Sequence, residues 1–341
     1  MRFIDPANEQ DCRAWFSVLH ATDVERWPNS PGWSYRTAKA MLEQRDASMS
    51  FLAMAATEPP SAGARSPRLS GIAMIQVPNW ENTHRVQFDV RVLPPQRRHG
   101  VGRALVDAVA QWAASVGRTV LHAEDEIPHA HPNRDVVAHF ARDLGFSAVQ
   151  AAHRRHLELP LTPERLEKLA NEVRVATVGY RLHTFRAPWP KRHTEDYCSL
   201  QRRMSTDAPS GDREHQEEVW SEARIDEIDH LLAAQGLVKL VAVAEHEATG
   251  QLVAFSEIAV VEAEPTEAWQ WATLVLPEHR GHRLGLATKL ANLENLHDRF
   301  PAVRRVITGN AAQNTTMIAV NDMMGFDVVA DQTLWERRVQ R

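Results

Sequence analysis

Two short basic turns in the sequence combine residue types that can bind an anion. The first lies within VLPPQRRHGVGRAL (Val92–Leu105) and the second within VLPEHRGHRLGL (Val275–Leu286). Each turn follows an apolar run and opens a segment whose apolar residues have helical spacing. Backbone N–H groups in the first turn of a helix lack intrahelical acceptors and lie at the positive end of the helix dipole, so several of them can hold one phosphate. The sequence therefore predicts two phosphate-binding turns.

The two turns are copies of one motif, and the order of predicted strands and helices around them is the same. LGF (Leu144–Phe146) recurs as MGF (Met324–Phe326) 180 positions later. A chain of 341 residues is longer than one core usually supports, which agrees with a duplication. We predict an N-terminal domain over 1–160, a helical linker over 161–178 and a C-terminal domain over 179–341. The matched residues of the turns, each pair 183 positions apart, are Pro94 and Pro277, Arg97 and Arg280, and Gly102 and Gly285.

Composition narrows the class of protein. The chain is 43% apolar and 24% charged, which is typical of a globular protein, and its net charge of −5 argues against a nucleic-acid partner. Cys12 and Cys198 lie far apart without zinc-like spacing, and the His-rich stretch around His129 and His131 has no regular ligand spacing, so we predict no metal site. The sequence contains no run of about 18 apolar residues, and we expect neither a signal peptide nor a membrane span. We expect a cytoplasmic protein without a membrane partner, as a monomer or homodimer.

A strand, a turn of the pattern [QR]xxGxG, and then a strand and a helix ending in GF resemble the GNAT superfamily of acyl-CoA-dependent N-acetyltransferases. RRHGVG (Arg97–Gly102) fits the turn pattern, and RGHRLG (Arg280–Gly285) has Arg283 in place of the first glycine. Two joined copies are similar to the tandem GNAT proteins of actinobacteria, an architecture shared with mycothiol synthase. The resemblance implies an α/β (α+β) fold of two tandem domains, each with a mixed, largely antiparallel sheet, splayed central strands and flanking helices.

The resemblance also implies that acetyl-CoA is the cofactor, with its diphosphate in the turn and its pantetheine arm along the strand before the turn. One backbone N–H of that strand would stabilise the oxyanion formed when an amine attacks the thioester. Asn310 and Asn314 resemble the polar contacts of the family to the coenzyme arm. The expected coenzyme-binding residues of the first half are Arg91, Val92, Leu93, Arg97, Arg98, His99, Gly100, Val101, Gly102 and Arg103, and those of the second half are Leu274, Val275, Leu276, Arg280, Gly281, His282, Arg283, Leu284, Gly285 and Leu286.

An acceptor amine with a pKa near 10 is almost entirely protonated at neutral pH, so a general base or a water relay is needed. Carboxylates near the splayed strands are the candidates. Glu257, between apolar residues, is our first choice, followed by Glu245 and, in the first half, Asp89. A carboxylate within a strand more often faces solvent or pairs with an arginine, and that alternative stays open for each of them.

From these residues we predict an N-acetyltransferase that moves acetyl from acetyl-CoA to a primary amine of a small molecule by direct attack in a ternary complex. We place the chemistry in the second half, where Thr273, Asn310, Asn314 and Glu257 provide more polar surroundings. Two alternatives remain. One is transfer of another acyl group from an acyl-CoA. The other is a non-catalytic, CoA-binding regulatory or scaffold protein, because Ala141 and Asn321 occupy the positions where the family often has a tyrosine acid.

Overall fold

The computed structural model describes residues 1–43, 48–58, 68–131, 135–207 and 216–339. The described residues form both helices and strands, and the strands pair in both parallel and antiparallel fashion, so the predicted mixed α/β fold is confirmed. None of the helices in these segments is both long and apolar enough to cross a membrane. The helices are α1 (Glu9–Arg26), α2 (Tyr35–Glu43), α3 (Val101–Ser115), α4 (Asp135–Asp143), α5 (Pro163–Ala176), α6 (Thr194–Asp207), α7 (Glu222–Ala234), α8 (Leu284–Arg299) and α9 (Thr315–Met324). The strands are β1 (Arg2–Phe3), β2 (Met49–Thr57), β3 (Leu69–Pro78), β4 (Arg85–Val92), β5 (Val120–Pro128), β6 (Ser147–Glu158), β7 (Tyr180–Arg186), β8 (Leu237–His246), β9 (Leu252–Val261), β10 (Glu267–Val275), β11 (Arg305–Ala311) and β12 (Asp327–Arg338).

The chain divides into two compact units whose bounds differ from those expected from the sequence. The first unit comprises Met1–Ala151 and the chain from Asp331 onward, and the second comprises Ala152–Ala330. Helix α5, expected to be a linker, belongs to the second unit because its apolar residue Leu169 is fully buried in the core of that unit. An amphipathic helix with a buried apolar residue is part of a domain core.

The first unit is built on β1 to β5 in sequence order. Neighbouring strands from β1 to β4 are antiparallel, whereas β4 and β5 are parallel because α3 crosses over between them. The last part of β12, expected in the second domain, lies beside β5 in this unit. There the Trp335 indole donates to Asp125 Oδ2 at 2.8 Å and the Thr333 N–H donates to Asp125 Oδ1 at 3.2 Å.

The second unit repeats this order with β7, β8, β9 and β10 as antiparallel neighbours. Strands β10 and β11 are parallel and are joined by α8, and the second part of β6 pairs antiparallel with β11. Helix α8 places Leu286, Leu290 and Leu293 in the core, at the spacing of one helical face. The helix that follows each basic turn is therefore fixed on the sheet by apolar burial.

Helix α3 approaches strand β3 very closely at Gly71. A Cβ at this position would lie 2.8 Å from the carbonyl oxygen of Arg91 and 3.1 Å from a methyl of Leu105. Gly71 pairs with Val92 across the β3–β4 ladder, and Ala254 of the second unit pairs with Val275 in the same way. The first unit therefore needs glycine here to bring the start of α3 against the sheet.

We expect Gly71→Ala to lower the free energy of unfolding by about 1 to 3 kcal/mol, because the added methyl overpacks the contact between β3, β4 and α3. Chemical denaturation measures the change. An unchanged midpoint would mean that α3 moves away from β3 without cost.

Candidate functional site

The two parallel strands of the first unit separate partway along their length. The β4–β5 ladder runs from Arg85 opposite Val120 to Phe88 opposite Ala123 and then stops, although β4 continues to Val92. Beyond this point, residues 89–92 of β4 and 124–128 of β5 are not paired with each other in the described part of the ladder. We call this gap the first cleft.

The second unit has the same separation. Strand β10 pairs with β11 from Glu267 opposite Arg305 to Trp269 opposite Ile307, and then continues to Val275 without pairing with β11. We call the gap between 270–275 of β10 and 308–311 of β11 the second cleft. An extended amide chain can hydrogen-bond to open strand edges of this kind.

The loop after each of these strands has the same backbone path. In the first loop Arg98 and Gly100 have positive φ angles of 66° and 80°, and in the second loop the matching residues Gly281 and Arg283 have 90° and 52°. Each loop thus provides a glycine for one left-handed position and an arginine for the other. The replacement of a glycine by Arg283 leaves the backbone geometry of the second loop intact.

Both loops present free backbone donors at a helix start. The first backbone hydrogen bond of α3 runs from Ala104 N to Gly100 O at 3.0 Å, and that of α8 runs from Ala287 N to Arg283 O at 2.9 Å. The N–H groups of Val101–Arg103 and of Leu284–Leu286 therefore have no acceptor within the helix. A Cβ placed on Gly100 or on Gly281 would meet no atom within 4 Å, so the loops are open to close approach. This donor set fits a diphosphate.

Arg97 holds the first loop onto the end of β4. Its Nε donates to the carbonyl oxygen of Val92 at 3.1 Å, and its guanidinium pairs with Glu25 of α1, with 2.8 Å between Nη1 and Oε1. Exposed Arg98, His99 and Arg103 remain as positive or ionisable groups beside the loop.

Arg280 makes the same two kinds of contact in the second loop. Its Nε donates to the carbonyl oxygen of Val275 at 3.2 Å, and its guanidinium reaches Asp207 of α6 at 3.4 Å. Arg283 lies 3.3 Å from Glu172 of α5. Arg97, Arg280 and Arg283, expected from the sequence to bind the coenzyme, therefore pair with protein groups, and the backbone N–H groups at the helix start are the main donors of the candidate anion site.

Strand β10 has a bulge within the second cleft. Trp271 and Ala272 both lie opposite the single residue Glu257 of β9. The bulge takes the Glu257 carbonyl out of the regular ladder, and the side chain of Gln270 donates to that oxygen at 2.7 Å. A bulge leaves backbone groups unpaired and changes the direction of the strand, features that recur beside active sites. In the first unit the β3–β4 ladder is regular from Gln87 to Val92.

Glu257 lies in a buried polar cluster on the side of the sheet covered by α6. Its carboxyl group accepts hydrogen bonds from the Tyr197 hydroxyl and from Gln201 Nε2, the latter at 2.9 Å. Burial raises the pKa of Glu257, although the positive charge of Lys239 opposes the shift. A carboxyl group with a raised pKa is suited to accept a proton near neutral pH.

The two other carboxylates predicted from the sequence have different surroundings. Glu245 lies on β8 with 2.9 Å between its Oε2 and His183 Nε2, away from the bulge. Asp89 accepts from Arg91 Nε at 2.6 Å in the first unit. Among these three, Glu257 alone lies opposite the bulge of β10.

The two predicted asparagines have separate roles in the structure. Asn314 is the N-cap of α9, where its side chain accepts from Met317 N at 3.2 Å. Asn310 lies near the end of β11 in the second cleft, and its Oδ1 accepts from Asn321 Nδ2 at 2.5 Å.

Sequence reasoning did not single out Gln270 or Lys289. Lys289 is 1% exposed, and its Nζ donates to Asn321 Oδ1 at 2.9 Å. The available signal was its position between Leu286 and Leu290, on the buried face of an amphipathic helix. Gln270 had no comparable signal, because its contact depends on the bulge.

Comparisons with known proteins agree with this geometry. Residues 13–146 match the acetyltransferase (GNAT) family model. Comparison with curated protein sequences gives no match. Among solved structures, a tandem GNAT protein from the clavulanic acid biosynthesis pathway is 23% identical, with a TM-score of 0.77, and the match covers 100% of this chain and 98% of that one. A GCN5-related N-acetyltransferase from Sphaerobacter thermophilus is 14% identical, with a TM-score of 0.65 and coverage of 100% and 95%.

Residues 13–146 therefore form an acetyltransferase domain of the GNAT family. The chain as a whole has the fold of a tandem GNAT protein, which confirms the resemblance drawn from the two basic turns. Members of this family are acyltransferases that generally use an acyl-CoA.

The left-handed backbone at Arg98 leads to a prediction about stability. A residue other than glycine in the left-handed region is strained by about 1 to 2 kcal/mol. Glycine avoids this strain, but it also loses more backbone entropy on folding, which offsets part of the gain. We expect Arg98→Gly to be more stable than the matched control Arg98→Ala by about 1 kcal/mol, since both remove the same exposed side chain. Thermal or chemical denaturation compares the two variants. Equal stabilities would contradict the left-handed conformation.

Proposed function

We propose that the protein transfers an acetyl group from acetyl-CoA to a primary amine of a small molecule, by direct attack of the amine, and that the second unit carries out the chemistry. The observation that carries the proposal is the second cleft, which joins an open strand edge, a bulge and a helix-start anion site. Each part supplies one requirement of the reaction.

The donor set of each loop supports coenzyme binding. A diphosphate would accept hydrogen bonds from the N–H groups of Leu284–Leu286, with His282 and Arg283 beside it. The open edge of β10 at Leu274 and Val275 would pair with an extended pantetheine arm. The first loop offers the matching groups at Val101–Arg103. The family model match over residues 13–146 supports coenzyme binding in the first unit as well.

The bulge supports catalysis in the second unit. It takes backbone groups of Trp271 and Ala272 out of the ladder in the cleft, opposite Glu257. A backbone N–H that points at developing negative charge typically stabilises a transition state by about 3 to 4 kcal/mol. The first unit has a regular β4 at this place, and we propose that it binds coenzyme without turnover.

Acetyl-CoA would supply a thioester whose acyl carbon forms a bond to the amine nitrogen while its bond to sulfur breaks. Glu257 would take the proton that the amine must lose, directly or through water, because only about one amine in a thousand is unprotonated at neutral pH. Tyr197 and Gln201 would hold the Glu257 carboxylate in place. Gln270 would keep the bulge in its observed form through the bond to the Glu257 carbonyl.

We expect Glu257→Gln to lower kcat about 100-fold or more, because the amide cannot accept the proton. The measurement is thiol release from acetyl-CoA with a panel of primary amines. As the pH falls through the raised pKa of Glu257, the wild-type protein should lose kcat/KM, and the variant should lack that limb of the profile. Glu245→Gln is the matched control and should keep full activity. Full activity of Glu257→Gln would exclude it as the base.

A negative charge introduced into either loop tests which unit binds the coenzyme that reacts. His99 and His282 are equivalent, exposed loop residues. We expect His282→Glu to raise KM for acetyl-CoA at least about tenfold, because a carboxylate beside the diphosphate is repelled. His99→Glu should remove one coenzyme site in calorimetry and leave transfer unchanged. His99→Gln and His282→Gln are the neutral controls. Loss of transfer in His99→Glu alone would assign the chemistry to the first unit.

A further inference from the structure

A chain of three buried or half-buried polar side chains leads from the core of the second unit to the second cleft. It begins at Lys289 of α8, passes through Asn321 of α9 and ends at Asn310 of β11. Lys289 is 1% exposed and Asn321 is fully buried. Thr308 on the same face of β11 is also buried, whereas Asn310 is partly exposed at the cleft. This series of hydrogen-bonded side chains therefore connects the interior of the second unit to the open strand edge at the second cleft.

The amine at the start of this chain is costly to bury. Within the described residues no carboxylate forms an ion pair with Lys289, and its Nζ lies 5.3 Å from the centroid of the Phe326 ring. Burial lowers the pKa of Lys289 to about 7. A buried amine without a carboxylate is unfavourable for folding, so its presence suggests a functional role.

The first unit shows that the fold does not require these polar groups. Val106 matches Lys289 in the helix after the loop, and Ala141 matches Asn321 in the helix that ends in GF. Both are buried in the apolar core of the first unit. The same helices thus pack around apolar residues, and the polar chain is a feature of the second unit.

The lysine determines the direction of every hydrogen bond in the chain. In its protonated form Lys289 can only donate, so Asn321 must then accept with Oδ1 and donate with Nδ2. Asn310 must then accept with Oδ1, which leaves its Nδ2 group as the donor available at the second cleft. Without the lysine both amides can turn over, and Asn310 can present either atom.

We propose that Lys289 is a positioning residue which, through Asn321, fixes the Asn310 amide so that its N–H groups donate to a carbonyl of the amide arm of an acyl-CoA in the second cleft. This inference rests on the proposed function of that cleft. The ligand chemistry is an extended chain with amide carbonyls, because the unpaired edges of β10 and β11 match such a chain and Asn310 adds one side-chain donor beside them.

The test compares coenzyme A with ADP, which has the diphosphate but lacks the pantetheine arm and the 3′-phosphate. Full-length protein carrying His99→Glu, which weakens the first loop, is titrated by calorimetry with coenzyme A and with ADP. Lys289→Met, Asn310→Asp and the double variant Lys289→Val with Asn321→Ala are made in this background. The double variant introduces the side chains of the first unit, so we expect it to fold.

We expect each variant to bind coenzyme A about five- to tenfold more weakly, the effect of one lost hydrogen bond, and to bind ADP with unchanged affinity. Lys289→Gln, which retains a donor toward Asn321, should recover part of the loss. The control is Asn292→Ala, which removes a fully buried amide of α8 that bonds to the backbone of β8 and β9. It should lower the melting temperature and leave the ratio of the two affinities unchanged.

Two results would overturn the inference itself, and a third would reject the proposed function on which it rests. Unchanged affinity for coenzyme A in the variants would show that the amide direction has no effect on binding. Equal weakening of coenzyme A and ADP would assign the chain a purely structural role. Absence of coenzyme A binding by the His99→Glu reference protein would instead reject the proposed function of the second cleft itself.

Discussion

The separation of two parallel strands is the constraint on which the candidate site depends. In the second unit the ladder between β10 and β11 ends at Trp269 and Ile307, and a buried hydrogen bond of 3.2 Å from the Thr308 hydroxyl to the Gln270 carbonyl lies just beyond that point. A sheet that stayed paired would satisfy its own backbone and leave nothing for a ligand. The gap instead presents N–H and C=O groups that an extended chain can use, next to a helix start that can hold an anion.

In both loops the candidate anion site is formed by backbone geometry more than by side-chain charge. Arg97 and Arg280 both tie their loop to the preceding strand and to a carboxylate of a helix of their own unit, Glu25 of α1 and Asp207 of α6. The two left-handed positions are shared between glycine and arginine in opposite order in the two loops. Identical backbone paths built from different residues indicate that the conformation of the loop, and the donors it exposes, are what both units preserve.

The two units share the separated strands and the loop conformation but differ in the polar groups around them. The second has a bulge opposite Glu257, a buried acid cluster with Tyr197, and a polar chain from Lys289 to the cleft. At the positions of Lys289 and Asn321 the first has apolar residues, and its β4 is regular. Buried polar groups cost free energy unless they are fully hydrogen-bonded. These buried polar groups are concentrated in the second unit. This is the physical difference that would distinguish a catalytic second unit from a first unit that only binds coenzyme.

The sequence by itself determined the features that depend on local order. The two basic turns, their repeat, the helix after each turn and the resemblance to the family all follow from residues close together in the chain, because loop conformation and helix starts are local. The tertiary structure decided which side chains meet. It paired Arg97 with Glu25 and Arg280 with Asp207, made α5 part of the second unit, placed Glu257 opposite a bulge and linked Lys289 to Asn310. Each of these contacts joins different strands or helices, so it exists only once the sheet and its helices have packed.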